Sequence, residues 1–157
     1  FFLNDTTSIA IPYDVDGQPH RRAPMRHSIL STGLMWSTAG DLARFNLAFT
    51  QSLNSSHRLI EQPLAEELSI PSSTATRSLG FFIGNRDADT KARGRYLFHS
   101  GSGNGYMSLS IISLDGENGA VILINKGPNP WTYKGLPPQY RFIKASLKLI
   151  SEHGNWR

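Results

Sequence analysis

The seven residues His99-Ser100-Gly101-Ser102-Gly103-Asn104-Gly105 concentrate most of the chain's capacity for chemistry. Glycine at every second position bares the backbone and lets a ligand approach it closely. Amide N–H groups in such a stretch can point at an anion. His99 adds a ring that donates or accepts a proton near neutral pH. Three readings stay open on these residues alone. The first is a glycine-rich strand crossing or bulge in which His99 is merely hydrogen-bonded. The second is a phosphate-cradling loop. Against it, Gly101, Gly103 and Gly105 lack dinucleotide spacing, a strand instead of a helix follows, and no Gly-Lys-Ser or Gly-Lys-Thr occurs in the chain. The third is an edge that binds an oxyanion during serine acyl transfer.

Strands on both sides must position this segment. Leu79 to Ile83 and Arg95 to His99 are short apolar runs, with a charged loop from Asn85 to Arg93 between them. Tyr106 to Leu114 reads as a third strand, with Ser108, Ser110 and, less cleanly, Ser113 marking its polar side. Residues 115–119 form a hairpin turn. Ala120 to Ile124 is an almost continuous apolar run, which predicts a strand covered on both faces. Short connections favour antiparallel pairing.

Helices flank the strands. One starts at Ser37 or Thr38, with Asp41 in its first turn, and Leu42, Phe45, Phe49 and Leu53 recur at helical spacing as its apolar face. A short second helix spans Pro63 to Leu68. A closing helix runs from about Gln139 to Glu152. Phe142, Ile143, Leu147, Leu149 and Ile150 form its apolar side, and Arg141, Lys144 and Lys148 its wet side. The predicted class is α+β, an antiparallel sheet with packed helices. The 157 residues read as a single partial domain: a loop-rich segment over 1–36, helices over 37–70, strands over 78–125 and the last helix over 139–152.

The glycine segment resembles the third motif of serine β-lactamases and penicillin-binding proteins, Lys-Thr-Gly or its His-x-Gly variant. His99-Ser100-Gly101 would occupy those three positions. Gly33 to Phe45 looks like the family's loop-then-helix segment ahead of the sheet. Leu79-Gly80-Phe81-Phe82 resembles its Gly-Leu-Gly-Trp strand. Val121 to Pro130 is similar to the stretch after the last strand of class C β-lactamases. The resemblance covers most of residues 10–152 and extends the fold expectation to the C-terminal part of the β-lactamase/transpeptidase-like fold.

This chain departs from the family at the nucleophile. No serine here has lysine three residues later, so Ser-x-x-Lys is absent. Ser52-Leu53-Asn54 and Ser102-Gly103-Asn104 match the second motif, Ser-x-Asn, by letters but not by place. The resemblance therefore implies a partner. The N-terminal part of the same protein, in cis or as a separate chain, would supply the nucleophile and complete the sheet. It also implies a mechanism without a cofactor. A serine on that part attacks a small-molecule or peptide acyl substrate, and the oxyanion sits between two backbone amides, one of them Ser102. Ser100 would hydrogen-bond a substrate carboxylate, with Gly101, Gly103 and Asn125 lining the substrate. Histidine in place of lysine makes the charge at position 99 conditional, which fits esterase or peptidase relatives at least as well as a β-lactamase. Family resemblance alone suggests a periplasmic or secreted location. A catalytically inactive binding or scaffold relative of the same fold is the first alternative, and a basic nucleic-acid-binding domain a weaker second.

Composition trims other classes. The net charge is +4, but apart from Arg21, Arg22 and Arg26, with His20 and His27 beside them, the basic residues are scattered. No nucleic-acid partner is expected from that pattern. No stretch approaches the ~20 apolar residues of a membrane span. The absence of cysteine excludes disulfides and thiolate zinc sites. His57 and His153 stand alone, and no metal is expected. Asp14 and Asp16 read as turn carboxylates, Asp87 and Asp89 as solvated loop residues. Trp36, Trp131 and Trp156 read as packing or rim residues.

Overall fold

The computed structural model describes residues 9–19, 33, 35–54, 59–70, 77–84, 96–103, 105–127 and 138–154. His20, the Arg21–Arg26 cluster, His27, His57, the 85–93 loop with Asp87 and Asp89, Asn104, Trp131 and Trp156 lie outside them. Three helices and four strands follow one another: α1 (Ala39–Asn54), α2 (Gln62–Ser69), β1 (Phe82–Gly84), β2 (Tyr96–Gly103), β3 (Tyr106–Ser113), β4 (Gly119–Ile124) and α3 (Pro138–His153). The strands form an antiparallel sheet in the order β1-β2-β3-β4. The α+β expectation is met.

α1 begins where its capping residues place it. The Thr38 hydroxyl accepts from the Asp41 amide at 3.1 Å and donates to the Asp41 carboxylate at 2.9 Å. α2 carries proline in its first turn, where a missing N–H breaks no bond. The β3–β4 hairpin turns at Gly116, whose φ is +77°. Asp115 Oδ1 accepts from the Glu117 amide, and Ser113 donates its backbone N–H to Asn118.

Each face of the sheet has its own core. Leu97 and Ile112 are buried with Ile83, Phe49 of α1 and Ala65 of α2. On the opposite face Met107 and Leu109 pack with Ile143 of α3, supported by Phe98, Ile122, Ile124 and Leu147.

Three expectations need correction and one is met only in part. The buried residues of α1 are Asn46, Phe49, Thr50 and Ser52, with Leu53 partly buried, while Phe45 is 47% exposed. Three polar residues can face inward because each finds a partner, the Ser52 hydroxyl by donating to the Ala48 carbonyl at 3.0 Å. Asn46 Nδ2 donates to Ser110 Oγ at 2.8 Å, and the Thr50 hydroxyl donates to the Leu47 carbonyl at 3.0 Å. Next, β4 is met by a helix on each face, Ile122 and Ile124 packing toward α3 and Val121 lying beside Ala43 and Leu47 of α1, but the cover is partial: none of its residues is fully buried and Leu123 is 42% exposed. The apolar side of α3 is also divided. Ile143 and Leu147 meet the sheet, whereas Phe142, Leu149 and Ile150 face outward. Finally, β1 starts at Phe82 rather than Leu79, because Ser78 to Phe81 forms a turn closed by the Ser78 amide donating to the Phe81 carbonyl.

Candidate functional site

The glycine segment is a strand. β2 runs through Gly103, and His99 to Gly103 pair with Ser110 to Tyr106 of β3. The alternating glycines suit this ladder. A Cβ on Gly101 would come within 2.8 Å of the Ser108 hydroxyl across the strand. A side chain at position 101 would therefore require the Ser108 hydroxyl to turn away.

β1 pairs with β2 only over Tyr96 to Phe98. Past Phe98 the edge of β2 facing away from β3 has no strand beside it among the described residues. Gly103 and Tyr106 are Cα partners separated by two residues, so they close a two-residue hairpin. The closing pair of such a hairpin exchanges hydrogen bonds, and the pairs alternate from there. Gly103, Gly101 and His99 thus turn their N–H and C=O groups toward β3. Ser102, Ser100 and Phe98 turn theirs the other way, and only Phe98 meets β1. The open edge therefore offers the N–H and C=O of Ser100 and Ser102.

Aromatic rings close the β1 end of this edge. The Phe82 ring stacks on Phe98 at 5.3 Å and meets the His99 ring at 5.6 Å. Arg77 pairs with Phe82 through an isolated bridge, and its guanidinium carbon lies 4.6 Å from the Phe82 ring centroid. His99 itself is exposed. Its cross-strand partner Ser110 also accepts from Asn46, which ties α1 to the row of the sheet that carries His99.

The opposite end is held by residues 10–13. Tyr13 donates its amide to the Asn125 carbonyl at 2.8 Å and accepts from the Gly127 amide at 3.0 Å. The Asn125 side-chain amide donates to the Ile11 carbonyl at 2.9 Å, and the Tyr106 hydroxyl to the Ala10 carbonyl at 2.8 Å. Trp36 meets Tyr106 edge to face at 5.4 Å. Asn125 sits at the same end of the sheet as Gly103 but beyond β3, about 10 Å away at normal strand spacing. His99, Ser100, Gly101, Ser102 and Gly103 are thus one continuous edge, while Asn125 belongs to the neighbouring clasp. Phe82 gave a signal in the sequence as part of the Leu-Gly-Phe-Phe segment. Arg77 gave none, because an arginine in a polar connection has no pattern to mark it.

The clasp makes Gly105 sensitive. Its φ is +81°, and a Cβ there would meet Pro12 Cβ at 2.7 Å and the Tyr13 carbonyl at 3.0 Å. Gly105→Ala is expected to cost about 1–3 kcal/mol through backbone strain and displacement of the clasp. Gly103 has open space around it and no positive φ, so Gly103→Ala is expected to stay within about 1 kcal/mol. Urea unfolding of both variants checks this; equal losses would contradict the clasp.

Asp14 and Asp16 form an ordinary turn, as expected. Asp14 Oδ1 accepts from the Asp16 and Gln18 amides. No helix among the described residues is long and apolar enough to cross a membrane.

Comparison with known proteins gives one match. The family model described as Beta-lactamase aligns with residues 4–143, well over half of the chain. Searches of the curated proteins and of the solved structures returned no significant match.

Proposed function

The chain belongs to the β-lactamase family, and from that membership we propose that it is the C-terminal part of a serine hydrolase working through an acyl-enzyme. The observation that carries this reading is the edge of β2 left without a strand beside it among the described residues, which starts at His99-Ser100-Gly101 and turns the Ser102 amide outward. An extended acyl substrate adds to this edge as a further strand, held by the N–H and C=O of Ser100. When the nucleophile attacks, negative charge grows on the carbonyl oxygen. The Ser102 N–H stabilises that charge, together with the amide of the nucleophile itself. His99 and Ser100 supply polar side chains to the substrate, Gly101 and Gly103 keep its path clear, and Asn125 braces the far end. No cofactor is required.

The chain lacks Ser-x-x-Lys, so the nucleophile and its lysine come from an upstream part of the same protein. The form of the sheet supports a missing neighbour. Among the described residues β4 is the last strand of the sheet and Leu123 is exposed, and a groove of about 280 Å³ runs between α1 and the β3–β4 hairpin, lined by Ala43, Leu47 and Val121. An open apolar edge of this kind pairs readily with another segment. The substrate is a β-lactam, a peptide ending in a D-amino acid, or an ester.

Denaturing intact mass after exposure to a serine-reactive phosphonate tests the proposal. The 157-residue chain is expected to stay unlabelled. The protein with its upstream part is expected to gain one adduct, mapping before Phe1. Stoichiometric labelling of Ser100 or Ser102 would overturn the assignment of this edge. An unlabelled full-length protein would identify the chain as part of a binding relative that has lost the nucleophile.

A further inference from the structure

We infer that Arg77 is a specificity-determining residue of the β2 edge, selecting acyl substrates with a carboxylate set well back from the reacting carbonyl. This inference rests on the proposed use of that edge and deepens it by naming a substrate class.

The geometry runs from the cation outward. The Arg77 guanidinium lies over the face of Phe82, and the same ring touches His99. A guanidinium held against an aromatic ring loses side-chain freedom in advance, while its in-plane N–H groups stay available. Those N–H groups match the two oxygens of a carboxylate. Among the described residues no carboxylate neutralises Arg77: the two ion pairs found there are Arg44–Asp41 and Lys148–Glu152. The side chain is therefore charged, exposed and held by a ring at the end of the open edge.

Distance along the strand gives the substrate its shape. Ser102, whose amide receives the oxyanion, lies three residues from His99, about 10 Å at strand spacing. Arg77 is reached only past that point, through Phe82. A carboxylate directly beside the scissile carbonyl does not reach it. A carboxylate about three residues further along an extended substrate does. The expected ligands are short acylated peptides, or acyl compounds of similar length, that end in a free acid.

The test uses the full-length protein with its serines labelled by ¹⁵N, reading the Ser100 and Ser102 amides. N-acetyl-trialanine is titrated against its C-terminal amide, a neutral twin of the same length. The acid is expected to bind about five- to tenfold more tightly than the amide, as a charge-assisted contact at an exposed site permits. Arg77→Gln should erase that preference and leave the weaker binding of the amide unchanged. Arg77→Lys, which keeps charge but loses the flat fork, should restore part of it. Equal binding of acid and amide, or a preference that survives Arg77→Gln while the two serine amides still shift, would remove Arg77 from the site and leave the edge reading intact. If neither peptide shifts Ser100 or Ser102 at millimolar concentration, the edge reading itself fails and this inference fails with it.

Discussion

Leu97→Ala is expected to cost about 2–5 kcal/mol of folding stability. Leu97 is 1% exposed and sits between Ile83 and Ile112 on the neighbouring strands, under Phe49 of α1 and Ala65 of α2. Truncation removes its transfer free energy and leaves a cavity walled by two strands and two helices, which cannot all move inward together. A typical domain has only about 5–15 kcal/mol in total, so the variant should unfold at clearly lower urea with an unchanged slope. Leu123→Ala removes the same atoms from a side chain that is 42% exposed on β4, and less than about 1 kcal/mol should follow. Similar losses at the two positions would mean that the helix-covered core on this face is wrongly placed.

That contrast also marks what the sequence could and could not reveal. Leu97 and Leu123 both lie in apolar runs bounded by polar residues, and hydrophobicity alone assigns them the same fate. Burial depends on what lies over each position: Phe49 of α1 and Ala65 of α2 cover Leu97, whereas Leu123 keeps 42% of its surface exposed. Local signals were legible wherever the cause was local. Thr38 and Asp41 set the start of α1 through their own hydrogen bonds, and Gly116 marks the hairpin with its positive φ. The orientation of α1 was not legible, because Asn46 and Thr50 look like solvent-facing residues until Ser110 and the helix carbonyls are seen to satisfy them. The glycine segment was recognisable as the chemical centre, yet its strand conformation comes from pairing with Tyr106 to Ser110 of β3, which no local signal in the segment marks. Arg77 illustrates the limit most plainly. Its contact with Phe82 exists only because the Ser78–Phe81 turn folds the chain back on itself.

Ser102→Pro in the full-length protein is expected to lower kcat by about 10²–10³-fold with little change in stability. The first half follows from the proposed chemistry. Proline has no amide hydrogen, so the oxyanion loses one of its two donors, and loss of a single oxyanion-hole donor has a cost of that size. The second half follows from the ladder. Counting back from the Gly103–Tyr106 hairpin closure, the Ser102 N–H points to the open edge of β2, so its removal breaks no bond to β3, and proline is tolerated at such edge positions. Gly101→Pro is the opposite case. Its N–H faces β3 opposite Ser108, and proline there removes a ladder bond and should destabilise the sheet by about 3 kcal/mol or more. Both variants remove one amide hydrogen of β2, on opposite sides of the strand, and Gly101→Pro also brings a Cβ within 2.8 Å of the Ser108 hydroxyl. Steady-state kinetics and urea unfolding on both therefore separate catalysis from folding. A well-folded Ser102→Pro protein that kept kcat within a few-fold of the parent would exclude this amide as an oxyanion donor. A Ser102→Pro protein that unfolded like Gly101→Pro would show that the strand register is shifted by one residue.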